Sequence, residues 1–544
     1  FVAVIGPSGA GKTTFLVSLA GKCNLPSAGS VVYNNKSIDK LEQGMVEIVP
    51  QFEVFVESLS VFEHLNFMME MKLSSSIRLV KIQALTDLLT LLKLKAHANT
   101  MIKSLSGGER RLLSLATSLI SNPKVIICDE PTTGLDSYNA TLVVDVLKSL
   151  SDAGNIVVCS VHQPSSDIFN MFTSIIILAD GRLVMHGNQF LCKDVFESVQ
   201  LKCPKNYNPA EFYIRAISNN SSLVTLQRLS STSDPVFCFK IYIISAEHNC
   251  FENNKFIFCR CRRNWFMQIG LLVWRSALTL KRNKRRHLFE LFTGLISAFI
   301  IGFVYVGISG TTQQGVQDVR GLLWLLTSEV AFSIGYTSLM AFEFDLTLFK
   351  REAGMYSSSA YYISRVICLI PKCIIWPISY VSLAIIFVNI PNTIITGIGW
   401  AVTLMVTGLA SASYGLSLAA LFTSSHLTTE VMPCFDAVLV LMSGAFMRIS
   451  TIPIWLHGFK YVSHFYYGMD AISNIYWRQI TNIDCSWNAT VCIKDGITAL
   501  AESGYSTSTS VLGFDSLGLF LVTIGWCFLG YLGLWREEKK GFAY

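Results

Sequence analysis

Two regimes of hydrophobic patterning divide the chain. Up to about residue 215, short apolar, β-branched runs alternate with stretches of helical periodicity. Val46–Val49, Val125–Cys128, Ile156–Ser160 and Ile175–Ala179 are such runs. This alternation predicts an α/β domain with a largely parallel sheet. From about residue 287 the apolar stretches lengthen to roughly 288–308, 321–341, 365–389, 397–422, 431–449 and 514–535. Each supplies the ~20 residues that a ~30 Å bilayer core requires. Backbone amides in lipid must be bonded within their own segment, so six membrane helices are expected. The fifth stretch is the least regular, since it holds Pro433 and Asp436.

Six spans would put both ends of the membrane half on one side. The basic residues at 281–286, Lys350-Arg351 and the tail from Arg536 to Lys540 all fall on that side, as the positive-inside rule requires of a cytoplasmic face. The cluster Lys281-Arg282-Asn283-Lys284-Arg285-Arg286 could also be read as a nucleic-acid patch. Its place against a long apolar stretch favours the membrane flank, and no nucleic-acid partner is expected. Composition agrees. Of the 544 residues 15% are charged, against about 25% in soluble globular proteins, so part of the chain belongs in lipid.

The fifteen cysteines are scattered through both halves and do not form a disulfide framework for the whole chain. The chain opens on Phe1 inside a strand-like run, which reads as an incomplete N-terminus, and no signal peptide is visible. Residues 216–262 form a seam between the halves. It begins as a Ser/Asn-rich linker, then carries Val236–Ile244 and Phe256–Cys261, which suit neither a linker nor an amphipathic helix. Cys250, Cys259 and Cys261 meet no zinc spacing. An aberrant insertion is one reading of this segment.

The chemistry lies in the first half. Gly6-Pro7-Ser8-Gly9-Ala10-Gly11-Lys12-Thr13, then Thr14, follows a strand and opens a helix, the context a P-loop needs. Backbone amides freed by the glycines can wrap phosphates at the helix start. Lys12 would reach the β- and γ-phosphates of ATP, and Thr13 would ligate Mg²⁺. The apolar strand Val125–Cys128 ends in Asp129-Glu130, placing two carboxylates at the sheet edge where α/β proteins hold ligands. Asp129 would hold Mg²⁺ and Glu130 would polarise the attacking water, because phosphoryl transfer needs mostly positioning and charge neutralisation. Leu105-Ser106-Gly107-Gly108-Glu109 precedes a helical run, and Ser106 with the two glycine amides would make a further anion site.

With Leu105–Glu109 the chain resembles the ABC ATPases, whose signature reads L-S-G-G-Q or a close variant. The resemblance implies that the signature of one domain closes over ATP held by the P-loop of a partner domain. It also implies roles for Gln51 at the Q-loop (sensing Mg²⁺ and touching the membrane domain), for Asp136 in the D-loop, and for His162 as the switch histidine at the γ-phosphate. The adenine-stacking aromatic of the family lies upstream of the P-loop and cannot be assigned. The predicted architecture is thus an ABC-type α/β P-loop ATPase domain (1–215), a linker (216–262), an amphipathic connecting helix (263–286) and an all-α six-helix transmembrane domain (287–544) with a large external loop (470–512).

The order of the two halves resembles the G subfamily, the White-type half transporters. Cys203-Pro204-Lys205-Asn206-Tyr207-Asn208-Pro209-Ala210-Glu211-Phe212-Tyr213 is similar to a subfamily segment, Trp265–Gln268 and Trp274–Ser276 to its connecting helix, and Phe349–Glu352 to the element that docks on the ATPase. The resemblance implies an ATPase coupled to export by a dimer of two half transporters, alike or different. Its cargo range is pigment precursors such as tryptophan derivatives and purines, or lipids and sterols. Its home is the plasma membrane or a vesicle membrane, with the ATPase cytosolic. In the loop 470–512, Cys485 and Cys492 are expected to pair and Asn488, in a sequon, to be glycosylated if that loop faces outside or the lumen. The sequons at Asn35 and Asn139 lie in the cytosolic half and should be silent.

The subfamily lines its substrate cavity from the second and fifth spans, mostly with apolar and neutral polar residues. This chain departs by placing Glu329 in the second span, Asp436 in the fifth, and Glu430 at its start; Phe332, also in the second span, is a further cavity candidate. Carboxylates at membrane depth face water or a partner rather than lipid. In one reading Glu430 sits in a loop and Glu329 and Asp436 meet neutral hydrogen-bond donors. In the other they make an acidic cavity for cationic or hydrogen-bond-donating cargo. Two rival functions stand beside this one: a soluble ABC ATPase acting on DNA or ribosomes, which six spans oppose, and a catalytically impaired partner subunit or damaged gene product.

Overall fold

The protein is described by a computed structural model. It describes residues 1–22, 30–33, 36–38, 41, 44–73, 78–204, 207–218, 263–388, 390–422, 425–484, 492–508 and 510–540. The apolar part of the seam, Cys485, Asn488 and Asn35 lie outside the described residues. The described chain divides into two compact units, residues 1–264 and 265–539.

The first unit carries β1 (Val2–Ile5), α1 (Lys12–Leu19), β2 (Val32–Tyr33), β3 (Lys36–Ser37), β4 (Val46–Val49), α2 (Val61–Lys72), α3 (Arg78–Leu91), α4 (Gly107–Leu119) and β5 (Val125–Cys128). After these come α5 (Ser137–Asp152), β6 (Ile156–Ser160), α6 (Ser166–Asn170), β7 (Ser174–Ala179), β8 (Arg182–Gly187), α7 (Gln189–Ser198) and α8 (Pro209–Ile217). The main sheet runs β4-β5-β6-β1-β7-β8, parallel except for β8. A parallel strand covered on both faces should be apolar throughout rather than alternating. β5 reads Val-Ile-Ile-Cys with all four residues buried. Polar caps set the helix starts. Ser60 and Ser106 each close a capping box with the glutamate three residues on, at α2 and α4, an arrangement that satisfies two otherwise orphaned amides.

The second unit is helical: α9 (Trp265–Arg282), α10 (Lys284–Val304), α11 (Gln313–Arg351), α12 (Ser358–Phe387), α13 (Thr393–Leu421), α14 (Ser425–Leu441), α15 (His457–Lys460), α16 (His464–Trp477), α17 (Gly496–Ser503) and α18 (Val511–Lys540). Its core is built where helices approach closely on small residues, as in membrane bundles. A Cβ on Gly415 of α13 would lie 2.3 Å from the Gly335 carbonyl oxygen of α11. Ser411 Oγ donates to the Ala331 carbonyl at 2.6 Å.

Among the described residues five helices are long and apolar enough to cross a membrane: α10 to α13, and α18. The remaining expected span falls on a shorter helix. The stretch 431–449 is met by α14, which has 17 residues and ends at Leu441; at 1.5 Å per residue it is about 26 Å long. The expected external loop 470–512 also begins differently, because its first residues belong to α16. That helix is buried nearly throughout, with the Trp400 indole donating to the Ile472 carbonyl at 3.2 Å. Its apolar residues Phe465, Met469, Ile472 and Tyr476 recur at helical spacing, but fourteen residues are too few for a span.

Candidate functional site

Parallel strands carry their loops out at one edge, and the expected ATP-site residues lie there. Between β1 and α1, Gly9 and Gly11 adopt φ of 79° and 89°, a left-handed backbone open to glycine at little cost. Gly6 is needed for a different reason, since a Cβ there would sit 2.3 Å from the Leu178 carbonyl oxygen of β7. Lys12 is buried, and its ammonium donates to the carbonyls of Gly6 at 2.9 Å and Pro7 at 3.1 Å. Burial lowers the Lys12 pKa, and the charges of Glu130 and Asp129 oppose that shift. Ser8 and Thr14 are exposed at the same loop.

The two carboxylates leave β5 toward this loop. Thr13 Oγ1 donates to Asp129 Oδ2 at 2.8 Å, joining the P-loop helix to the acidic strand. Glu130 has φ of 45°, uncommon for a non-glycine residue and costing about 1–3 kcal/mol. Its carboxylate accepts from Gln51 Nε2 at 2.7 Å and Thr133 Oγ1 at 3.0 Å. Lys12, Thr13, Gln51, Asp129 and Glu130 therefore form one connected centre. Its donor set near Thr13 (a hydroxyl, a carboxylate and an amide) is the hard-oxygen chemistry that Mg²⁺ prefers.

The signature residues form a separate group. Ser106 caps α4, and its N–H donates to Glu109 Oε2 at 2.8 Å. His97 Nε2 lies 3.2 Å from Glu109 Oε1. The site of a Cβ on Gly107 is 3.3 Å from the Leu135 side chain, and that on Gly108 is 2.8 Å from the Asn139 amide oxygen. Asn139 in turn donates to Asp136 at 2.5 Å. The signature and the D-loop thus touch each other, while among the described residues no hydrogen bond links Ser106–Glu109 to the P-loop. His162 is exposed two residues beyond the end of β6. Asn208, the cap of α8, donates to the Pro164 carbonyl at 2.6 Å, so the start of α8 holds the loop that bears His162.

Two functional candidates escaped the sequence. Ser160, wholly buried, donates to Asp129 Oδ1 at 2.5 Å and accepts the Glu130 N–H at 2.8 Å. Arg111, on the signature helix, donates to the carbonyls of Pro50 and Gln51 at 3.0 and 2.7 Å, and to that of Glu130 at 3.4 Å. Neither belongs to a recognisable motif; register and helix phase bring them in.

The membrane candidates are divided. Glu329 accepts from the Tyr380 hydroxyl of α12 at 3.4 Å. Phe332 faces elsewhere, with ring centres 5.1 Å from Phe465 and 6.3 Å from Tyr336. Asp436 is buried, with the hydroxyls of Tyr336 and Tyr414 as hydrogen-bonding neighbours of its carboxylate. Glu430 lies on α14 itself, not in a loop. Glu352 of the expected docking element is buried within the membrane unit against Arg275. Cys492 is disulfide-bonded.

A P-loop, an acid-ended strand and a signature helix on one parallel sheet, followed by a bundle of membrane-length helices, define an ABC transporter with its ATPase ahead of its membrane domain. The ABC transporter family matches residues 1–133, and the ABC-2 type transporter family matches residues 267–477. The chain is 29% identical to Protein brown of Drosophila melanogaster over 96% of its own length and 88% of the relative's. It is 29% identical to Protein scarlet of the same fly (99% and 84%) and 28% to its Protein white (99% and 82%). The chain belongs to the ABC transporter G family, as a White-type half transporter.

Proposed function

We propose that this half transporter pairs with a second half transporter, identical or related, to hydrolyse MgATP and export a small amphipathic molecule. The observation that carries this reading is the connected centre Lys12–Thr13–Asp129–Glu130–Gln51 in a chain that also bears membrane-length helices. Lys12 would bind the β- and γ-phosphates within the glycine loop, and Thr13 and Asp129, with Gln51, would hold Mg²⁺. The metal, when bound, neutralises charge on the transferring phosphoryl group. Glu130 orients the attacking water with the carboxylate oxygen that Gln51 and Thr133 leave accessible, and His162 steadies the γ-phosphate.

Among the described residues no hydrogen bond ties Ser106, Gly107 or Gly108 to their own P-loop, which suits an anion site offered to the ATP of a partner. Closure of two ATPase domains over two ATP molecules would rock the membrane halves, and hydrolysis would reset them. The basic flank of α9 and α10 supports a cytosolic ATPase, in the plasma membrane or a vesicle membrane. Cargo of the pigment-precursor, lipid or sterol class fits the subfamily resemblance.

The test is vanadate-sensitive ATPase of the purified full chain in proteoliposomes, with and without Glu130→Gln. Loss of a general base costs about 10²–10⁴-fold, so the variant should bind ATP and be nearly silent. A wild type without hydrolysis in any pairing would support the impaired-subunit reading. Undiminished hydrolysis in the variant would remove Glu130 from its role.

A further inference from the structure

Ser160 occupies a place that only the sheet makes meaningful. β6 lies between the acid-bearing strand β5 and the P-loop strand β1. Cys128 pairs with Cys159, and Val4 with Ser160. One residue past the Cys128–Cys159 pair, Asp129 follows the end of β5 and Ser160 closes β6 beside it, opposite Val4 and two residues short of the P-loop. Ser160 is 0% exposed and Asp129 1%, so water cannot substitute for what each provides the other.

The bonds assign a direction to each atom. Asp129 Oδ1 is engaged by the Ser160 hydroxyl at 2.5 Å, and Oδ2 by Thr13 Oγ1 at 2.8 Å. A carboxylate bound at both oxygens cannot rotate about its terminal torsion, so Oδ2 stays on the side of Thr13. The same serine oxygen accepts the Glu130 N–H at 2.8 Å, at the residue whose φ of 45° turns the chain out of the strand. One hydroxyl therefore serves as donor to the metal-binding acid and as acceptor to the water-orienting acid. A core serine needing only to satisfy itself would bond its own strand or helix, as Ser118 does to the Ser114 carbonyl.

We propose that Ser160 is a positioning residue for the metal site. It fixes the Asp129 carboxylate toward Thr13 and anchors the Glu130 bend, so that a divalent cation meets a preformed ligand. This rests on the reading that the chain binds MgATP through Thr13 and Asp129. Groups one bond away from a metal ligand typically contribute 10–100-fold to metal affinity.

The experiment measures Mn²⁺ binding by electron paramagnetic resonance on the full chain in detergent, loaded with a non-hydrolysable ATP analogue. Fluorescent nucleotide binding in EDTA runs in parallel. Ser160→Ala should weaken Mn²⁺ binding by about tenfold or more, with metal-free nucleotide binding unchanged because Lys12 and the glycine loop are intact. Ser160→Thr, which keeps the hydroxyl, should restore Mn²⁺ binding. If the alanine variant does not fold, Ser160→Cys, close in volume but a weaker donor, must show the same selective loss. Unchanged Mn²⁺ affinity in Ser160→Ala or Ser160→Cys overturns the proposal, as does an equal loss of metal-free nucleotide binding. A wild type that binds no Mn²⁺ with nucleotide would instead sink the MgATP reading beneath it.

Discussion

Arg275 and Glu352 form an ion pair sealed inside the membrane unit. Arg275 Nη1 donates to Glu352 Oε1 at 2.7 Å and to Oε2 at 2.9 Å, and each side chain is 2% exposed. The pair ties α9 to the C-terminal end of α11, and the Tyr356 hydroxyl adds a third bond to Glu352 at 2.6 Å. Such a pair adds little over an apolar replacement, but breaking one half leaves a buried charge uncompensated, at about 3–5 kcal/mol. Arg275→Met should therefore lower the thermal midpoint in detergent sharply, while Arg275→Met with Glu352→Met recovers most of it. A double variant as unstable as the single one would contradict this account.

The P-loop glycines should fail in different ways. Alanine at Gly6 would place its Cβ against the Leu178 carbonyl and force β1 from β7, an overpacking cost of about 1–3 kcal/mol. Alanine at Gly9 meets no atom within 4 Å but must hold φ of 79°, at about 1–2 kcal/mol. Gly6→Ala should lose both stability and nucleotide binding. Gly9→Ala should keep its fold and bind nucleotide more weakly. Thermal midpoints beside fluorescent nucleotide titration check the distinction.

Much of the ATPase was legible because its signals are local. An apolar strand ending in Asp129-Glu130 and a glycine loop ending in Lys12-Thr13 declare their chemistry within a few residues. Ser160 was not legible, since a serine closing an apolar strand has no pattern; the β5–β6 register puts it beside Asp129. In the membrane half, length misled twice. The apolar run 431–449 exceeds its helix, which ends at Leu441 and gives way to turns and short 3₁₀ segments. α16 is too short to signal a span, yet its burial comes from tertiary packing on Trp400.

Arg111 links the signature helix to the Q-loop and to Glu130 through three carbonyls, and its Nε lies 3.1 Å from Glu53. Lysine keeps the charge but cannot reproduce the planar fork. Losing hydrogen bonds to a charged donor costs about 1.5–3 kcal/mol. Arg111→Lys should bind nucleotide normally through Lys12 but hydrolyse it about tenfold or more slowly, because Gln51 and Glu130 lose their common anchor. Matched nucleotide titrations and turnover measurements check this; a variant with unaltered turnover would show that Arg111 only packs the helix.

The two membrane carboxylates should differ in their bearing on cargo. Glu329 already meets the Tyr380 hydroxyl, a donor that an amide can replace the carboxylate to receive. Asp436 is 5% exposed, with the hydroxyls of Tyr336 and Tyr414 as hydrogen-bonding neighbours of its carboxylate. A carboxylate offers more acceptor sites than two hydroxyls fill, and a buried acid with unfilled sites costs stability unless something else completes it. If that completion is cargo, Asp436→Asn should slow vesicle uptake of an amphipathic amine by roughly 10- to 100-fold, the equivalent of a hydrogen bond to a charged group. Uptake of its neutral isostere should be unchanged, and Glu329→Gln should alter neither. If Asp436 is only structural, Asp436→Asn will change the two cargoes equally and Asp436→Leu will raise the thermal midpoint. Paired uptake of the amine and its isostere in proteoliposomes, read beside thermal unfolding, separates the outcomes. Equal, unchanged uptake of both by the double variant Glu329→Gln/Asp436→Asn would end the acidic-cavity reading.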